Sequence, residues 1–176
     1  CLAAVHNGQI INAAELEEAL ESRGSIFQGT SDSEILLHMI QRGRGTLLEK
    51  ITAACRRLDG AFAFLILTEK SLYAVRDKNG LRPLSLGKIG EGCCLSSETC
   101  AFESIGARFI RDIAPGEIVK LSDHGLESSY YADDRRHRLC AMEYVYFSRP
   151  DSDLGGMNVH AVRKETGRML ARRDRG

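Results

Sequence analysis

The hydrophobic period of this chain changes once, at Asp59-Gly60, and that change limits the folds open to it. Before it, apolar residues recur at helical spacing: Leu16, Ala19 and Leu20 form one stripe, and Ile35, Leu36, Met39 and Ile40 another. Asn12 with Glu15, Ser31 with Glu34 and Thr46 with Glu49 each place a capping residue three positions before a glutamate, which predicts three helix starts. Gly24 closes the first helix, and the third runs to about Leu58. After Asp59-Gly60 the chain breaks into short strand-like runs, beginning with the apolar stretch Ala61 to Leu67. Further strands are predicted over 71–76, 84–86, 93–96, 107–110, 117–121 and 126–131, with Glu69-Lys70, Lys78-Asn79-Gly80, Gly90-Glu91-Gly92 and Asp123-His124-Gly125 as turns. A short helix is predicted near 99–104 and an amphipathic one from about His160 through Val162, Met169 and Leu170. At the start, Leu2 to Val5 reads as a buried strand, His6-Asn7-Gly8 as a turn-forming interruption, and Gln9 to Ile11 as resumed extended chain. Helices followed by strands on short connections predict an α+β layered fold, not a parallel βαβ sheet.

Charge and size narrow the function. The chain has 176 residues, long enough to bury a core, and its 24 Lys+Arg balance 24 Asp+Glu. No basic excess recommends nucleic acid or an anionic membrane as a partner, and no apolar run approaches the roughly 20 residues that cross a bilayer. The N-terminus has no charged segment followed by an apolar one, so no secretory signal is read. The six cysteines, at 1, 55, 93, 94, 100 and 140, form no C-x-x-C pair and read as reduced thiols of the cytoplasm. A zinc site finds no support, because Cys93 and Cys94 are adjacent and no second ligand pair follows. The chain opens at Cys1 inside an apolar run and closes at Arg172-Arg173-Asp174-Arg175-Gly176 inside a helical pattern, so the expectation is a piece of a longer protein, incomplete at both ends.

Several strings, taken in order, are more specific. They are His6-Asn7-Gly8, Phe27-Gln28-Gly29-Thr30-Ser31-Asp32-Ser33-Glu34, Val75-Arg76-Asp77-Lys78-Asn79-Gly80-Leu81-Arg82-Pro83-Leu84, Ser96-Ser97-Glu98-Thr99-Cys100-Ala101, Pro115-Gly116-Glu117, and Glu143-Tyr144-Val145-Tyr146-Phe147-Ser148-Arg149-Pro150-Asp151-Ser152. The ordered set resembles the glutamine phosphoribosylpyrophosphate amidotransferase (amidophosphoribosyltransferase) family from end to end. The resemblance implies an Ntn-hydrolase fold, with helices on either side of antiparallel sheets. It implies that 1–138 is the later part of a type-2 glutaminase domain, and that 139–176 is the junction and the start of a phosphoribosyltransferase domain. The family hydrolyses glutamine and passes the ammonia to phosphoribosylpyrophosphate, the first step of purine synthesis. A homo-oligomer in the cytoplasm is implied, with the phosphoribosylpyrophosphate and Mg²⁺ sites beyond Gly176.

Amide hydrolysis needs a nucleophile and donors for the oxyanion of the tetrahedral intermediate. Asn7 offers a side-chain N–H and Gly8 a backbone N–H that a bulkier residue would shield. The resemblance makes this pair the oxyanion hole; an ordinary tight turn is the alternative. Asp32 resembles the residue that binds the α-amino group of glutamine, and a carboxylate at a helix start also serves the helix dipole. The family nucleophile is an N-terminal cysteine, but Cys1 lies six steps before Asn7 along one expected strand, about 20 Å at roughly 3.3 Å per step. Attack needs contact at about 3–3.5 Å. The family also places its nucleophile far upstream of the HNG string. Cys1 therefore reads as an exposed strand residue, and the nucleophile as absent from this chain. Cys140 matches one of four ligands to a [4Fe–4S] cluster in part of the family, with a small buried residue as its other reading.

Arg76-Asp77 and Arg82-Pro83 read as structural, Ser97-Glu98 as shaping the sheet near the glutamine pocket, and no histidine is assigned to catalysis. Two other functions stay open: a stand-alone Ntn hydrolase with Cys1 as nucleophile, and a glutamine-binding module without catalysis.

Overall fold

A computed structural model describes residues 1–174; Arg175 and Gly176, on which part of the expectation for the chain end falls, lie outside the described residues. The elements in chain order are β1 (Ala3–Ile10), α1 (Ala13–Glu21), α2 (Asp32–Arg42), α3 (Leu47–Cys55), β2 (Gly60–Leu67), β3 (Ser71–Arg76), β4 (Ser85–Ile89), β5 (Gly92–Ser96), α4 (Cys100–Ser104), β6 (Arg108–Asp112), β7 (Glu117–Ser122), β8 (Gly125–Tyr130), a π-helical turn (Glu143–Phe147), the short pair β9 (Asp153–Leu154) and β10 (Met157–Asn158), and α5 (Val159–Arg173). They fall into two compact units, residues 1–82 with 113–137, and residues 83–112 with 138–176. Residues 83–112 join those from 138 on in the second unit, where Glu98 of the β5–α4 turn accepts from Arg149 N–H and the Ser152 hydroxyl.

The first unit is an antiparallel five-stranded sheet, ordered β1-β2-β3-β7-β8, with α1, α2 and α3 over one face. Its core joins helix residues such as Leu36, Ile40 and Ile51 to sheet residues such as Phe62, Phe64 and Ile118. Three expectations change here. His6-Asn7-Gly8 is no turn: β1 pairs with β2 in unbroken register from Ala3↔Leu67 to Ile10↔Gly60. An eight-residue ladder outweighs local turn preference, and Gly8 absorbs the irregularity at φ +130°. The beginning of β1 is not buried, since Val5 is 63% exposed. Asn12 does not cap α1; its Oδ1 accepts from Asp59 N–H at 2.9 Å and its Nδ2 donates to the Arg57 carbonyl at 2.9 Å, tying the end of β1 to the entry of β2. The Thr46–Glu49 capping box of α3 forms as expected.

The second unit carries a three-stranded antiparallel sheet, ordered β5-β4-β6, with a bulge between Leu86 and Gly87. Gly87 is demanded by packing, because a Cβ there would stand 2.8 Å from the ring of Phe102, buried on α4. The apolar string from Glu143 to Phe147 winds into the π-helical turn. Arg163 of α5 closes it, donating to the carbonyls of Tyr144 at 2.6 Å and Ser148 at 2.7 Å.

Candidate active site

The register of β1 decides which of its polar groups are available. Gly8 lies opposite Phe62, whose carbonyl accepts from Asp77 N–H at 2.8 Å on the side of β3. In an antiparallel strand the N–H and C=O of one residue point the same way, so Phe62 faces away from β1 and Gly8 faces away from β2. Among the described residues β1 pairs with β2 alone, which leaves the Gly8 N–H on the open edge. Ile10, two residues on, has the same sense, and its N–H is taken by Asp32 Oδ2 at 2.9 Å. A backbone donor and a carboxylate thus share one edge, the Gly8 and Ile10 N–H groups being about 7 Å apart by strand rise. Gly8 is obligatory on two counts: its φ is +130°, and a Cβ would overlap the Ala61 carbonyl oxygen. Gly60, across the ladder, repeats the arrangement at φ +140° against the Gln9 carbonyl oxygen.

Asp32 owes its place to the first turn of α2. The Ser31 hydroxyl caps that helix by accepting from Ser33 N–H at 3.4 Å. Glu34, expected to complete the cap, turns outward and accepts from Gln28 N–H at 2.8 Å and Gly29 N–H at 3.1 Å. These bonds, that from Gln28 foremost, hold its carboxyl below the usual range and pin the loop that precedes Asp32. Asn7 is exposed, and strand alternation sets its side chain on the opposite face from His6 and Ile10.

His6 is the residue that sequence reasoning passed over. Its ring stacks on Phe64 at 4.3 Å and 18°, and its Nε2 is buried without a hydrogen-bond partner among the described residues. Burial lowers its pKa; nearby Asp32 opposes that and Arg82 adds to it. The ring is thereby held neutral beside the Asn7–Gly8 pair. Its place next to Asn7 in the HNG string was the available signal.

Buried Arg76 and Asp77 shape the loop facing the end of β1. The Arg76 guanidinium donates to the carbonyls of Gly80 (2.9 Å), Arg82 (2.8 Å) and Ile113 (2.6 Å). The Asp77 carboxylate accepts from the N–H groups of Asn79 (2.9 Å), Leu81 (2.9 Å) and Arg82 (3.3 Å). Asn79 and Leu81 of this loop, with Gln9, Ile10 and Gly60, line a cleft of about 470 Å³.

Cys1 stands apart from this edge. It is exposed, and its α-ammonium group lies 3.7 Å from Glu69, in the β2–β3 turn at the far end of the ladder from Gly8. Cys140 is half-buried in the second unit. Among the described residues no three His, Cys, Asp or Glu side chains gather to hold a metal ion. The Glu98 carboxylate accepts from Arg149 N–H and the Ser152 hydroxyl, all within the second unit. No helix among the described residues is long and apolar enough to cross a membrane.

The layered α+β fold is that of an Ntn-hydrolase-type amidotransferase domain, as known proteins show. Residues 1–104 match the glutamine amidotransferase domain, and the chain belongs to that family. It is 47% identical over 171 residues to amidophosphoribosyltransferase of Bacillus subtilis, covering 97% of this chain and 36% of the relative. The corresponding protein of Staphylococcus epidermidis is 46% identical over 168 residues, covering 94% of this chain and 34% of the relative. The glutamine phosphoribosylpyrophosphate amidotransferase from B. subtilis complexed with ADP and GMP superimposes with a TM-score of 0.95 at 47% identity, over 97% of this chain and 38% of that one. A structure described as the allosteric regulatory enzyme of purine biosynthesis gives a TM-score of 0.96 at 47% identity, over 98% and 37%. The chain therefore spans about a third of the length of the curated relatives it matches.

Proposed function

We propose that this chain is the glutamine-binding part of an amidophosphoribosyltransferase. The parent converts glutamine, phosphoribosylpyrophosphate and water to 5-phosphoribosylamine, glutamate and pyrophosphate, the first step of de novo purine synthesis, in the cytoplasm. The observation that carries this reading is the shared edge of β1: the Gly8 and Ile10 N–H groups, two residues apart, point the same way, and the Asp32 carboxylate sits on the second of them. In this reading the carboxamide oxygen of glutamine lies at the Asn7 side-chain amide and Gly8 N–H, and its α-ammonium group at Asp32. The donors stabilise the oxyanion as the carbonyl carbon becomes tetrahedral.

The nucleophile belongs to a segment outside this chain, and Cys1 has no catalytic role. Residues 1–138 are the later part of the glutaminase domain, and 139–176 are the junction and the start of the phosphoribosyltransferase domain. That domain holds phosphoribosylpyrophosphate and Mg²⁺, and the parent is a homo-oligomer.

The test is glutamate release by the 176-residue chain and by its Cys1→Ala variant, beside the complete enzyme with Asp32→Asn. No release from either short form is expected. In the complete enzyme Asp32→Asn raises KM for glutamine at least about tenfold, as loss of a charge-assisted bond implies, and spares ammonia-dependent synthesis. Release by the short chain that vanishes with Cys1→Ala overturns the assignment in favour of a self-sufficient hydrolase. Glutamine binding without turnover in the complete protein favours a binding module.

A further inference from the structure

Glu98 and Thr99, between β5 and α4, grip a loop that lies far along the chain. Glu98 Oε2 accepts from Arg149 N–H at 2.7 Å and from the Ser152 hydroxyl at 2.7 Å. The Thr99 hydroxyl accepts from Asp153 N–H at 2.7 Å. The same loop receives the first turn of α5, where Val159 N–H donates to the Ser152 carbonyl at 3.0 Å and His160 N–H to the Pro150 carbonyl at 3.0 Å. Arg149 closes the loop on itself through two bonds to Asp151 at 3.0 Å. Ser152 and Val159 are wholly buried, so water cannot replace the bonds around them. Loop 149–153 is thus held between the β5–α4 turn and the start of α5, all within one compact unit. The match to the amidotransferase domain ends at residue 104. Glu98 and Thr99 therefore belong to that domain, and the loop that their side chains hold lies beyond it.

We propose that Glu98 is a positioning residue that seats loop 149–153, and through it the start of α5, on the amidotransferase domain, so that glutamine hydrolysis stays coupled to use of the ammonia. The coupling half of this inference rests on the proposed function. One carboxylate oxygen serving two short donors across a gap of 51 and 54 residues is a costly arrangement for a turn that needs only local closure. Charge-assisted bonds of this kind are roughly twice as strong as neutral ones, and their geometry is specific.

The experiment uses the complete amidotransferase with Glu98→Ala, Glu98→Gln and Thr99→Val. Amide exchange over 149–160 is followed by mass spectrometry, with α2 as an internal control. Glutamine- and ammonia-dependent product formation are measured beside glutamate release. In Glu98→Ala, exchange over 149–160 accelerates at least about tenfold, the factor expected for losing a bond to a charged group, and α2 is unchanged. Glutamate released per product rises, and ammonia-dependent synthesis stays within about twofold. Glu98→Gln, which keeps one acceptor oxygen, falls between. Unchanged exchange in Glu98→Ala overturns the clamp. Accelerated exchange with an unchanged glutamate-to-product ratio, or equal loss of both syntheses, overturns the coupling role. If the unaltered protein makes no product from glutamine, the functional reading fails with its coupling claim, and the exchange data still decide the clamp.

Discussion

Alanine at Gly8 sets a methyl group against the Ala61 carbonyl oxygen while holding the backbone at φ +130°. The two penalties can be separated. A non-glycine residue in a sparsely populated positive-φ region costs about 1–3 kcal/mol. The overlap is with backbone of the paired strand and not with a flexible side chain, so relief requires β1 and β2 to part. Losing one or two ladder bonds there adds about 1–3 kcal/mol. The expected total is about 2–6 kcal/mol, a large share of the roughly 5–15 kcal/mol that stabilises a domain. Gly106→Ala and Gly90→Ala are the controls: they lie at φ +68° and +56° with nothing within 4 Å of the added Cβ. Those variants carry the backbone penalty alone, about 1–2 kcal/mol. Urea unfolding followed by circular dichroism, with equal m-values across the set, gives the differences. Gly8→Ala within about 1 kcal/mol of Gly106→Ala would refute the close approach, and with it the edge geometry on which the oxyanion donor rests.

Two further outcomes test the surroundings. Arg76→Met strands the buried carbonyls of Gly80 and Ile113 and the half-buried one of Arg82, and should cost about 3–5 kcal/mol in urea unfolding; Arg76→Lys should not restore it, because an ammonium lacks the planar fork that reaches all three together. Burial pushes the Cys55 thiol up to about 12 from its ordinary 9.0, so at pH 8 iodoacetamide should modify exposed Cys1 and Cys93 and spare Cys55. The sign follows from linkage: the unfolded thiol ionises from pH 9.0 while the folded one stays protonated, so stability falls as pH rises from 9 towards 12. Cys55→Ala should flatten that alkaline slope, and parallel slopes in the two proteins would refute the assignment.

The helices and most strands were legible because their signals are local. Apolar stripes, the Thr46–Glu49 box and the Asp123-His124-Gly125 turn need no distant partner to act. Asn7, Gly8 and Asp32 stand out as a candidate set only because their strings, in order, resemble one family. Order along the chain does not say which way a strand edge faces. The sequence misread His6-Asn7-Gly8 as a turn because turn preference is a few tenths of a kcal/mol per residue, whereas pairing along all of β2 is collective. It could not foresee that Asn12 and Glu34 would leave their caps for Asp59, Gln28 and Gly29, since those partners become neighbours only after folding.

What the sequence determined by itself was periodicity, charge balance and the inventory of chemical groups. Tertiary structure decided the edge that Gly8 shows, the burial of His6 against Phe64, and the grip of Glu98 on a loop 51 to 54 residues away. The physical reason is range. Propensity and capping act within about a turn, whereas the direction of an N–H, the desolvation of a ring and the partner of a carboxylate are set by whatever chain packs beside them.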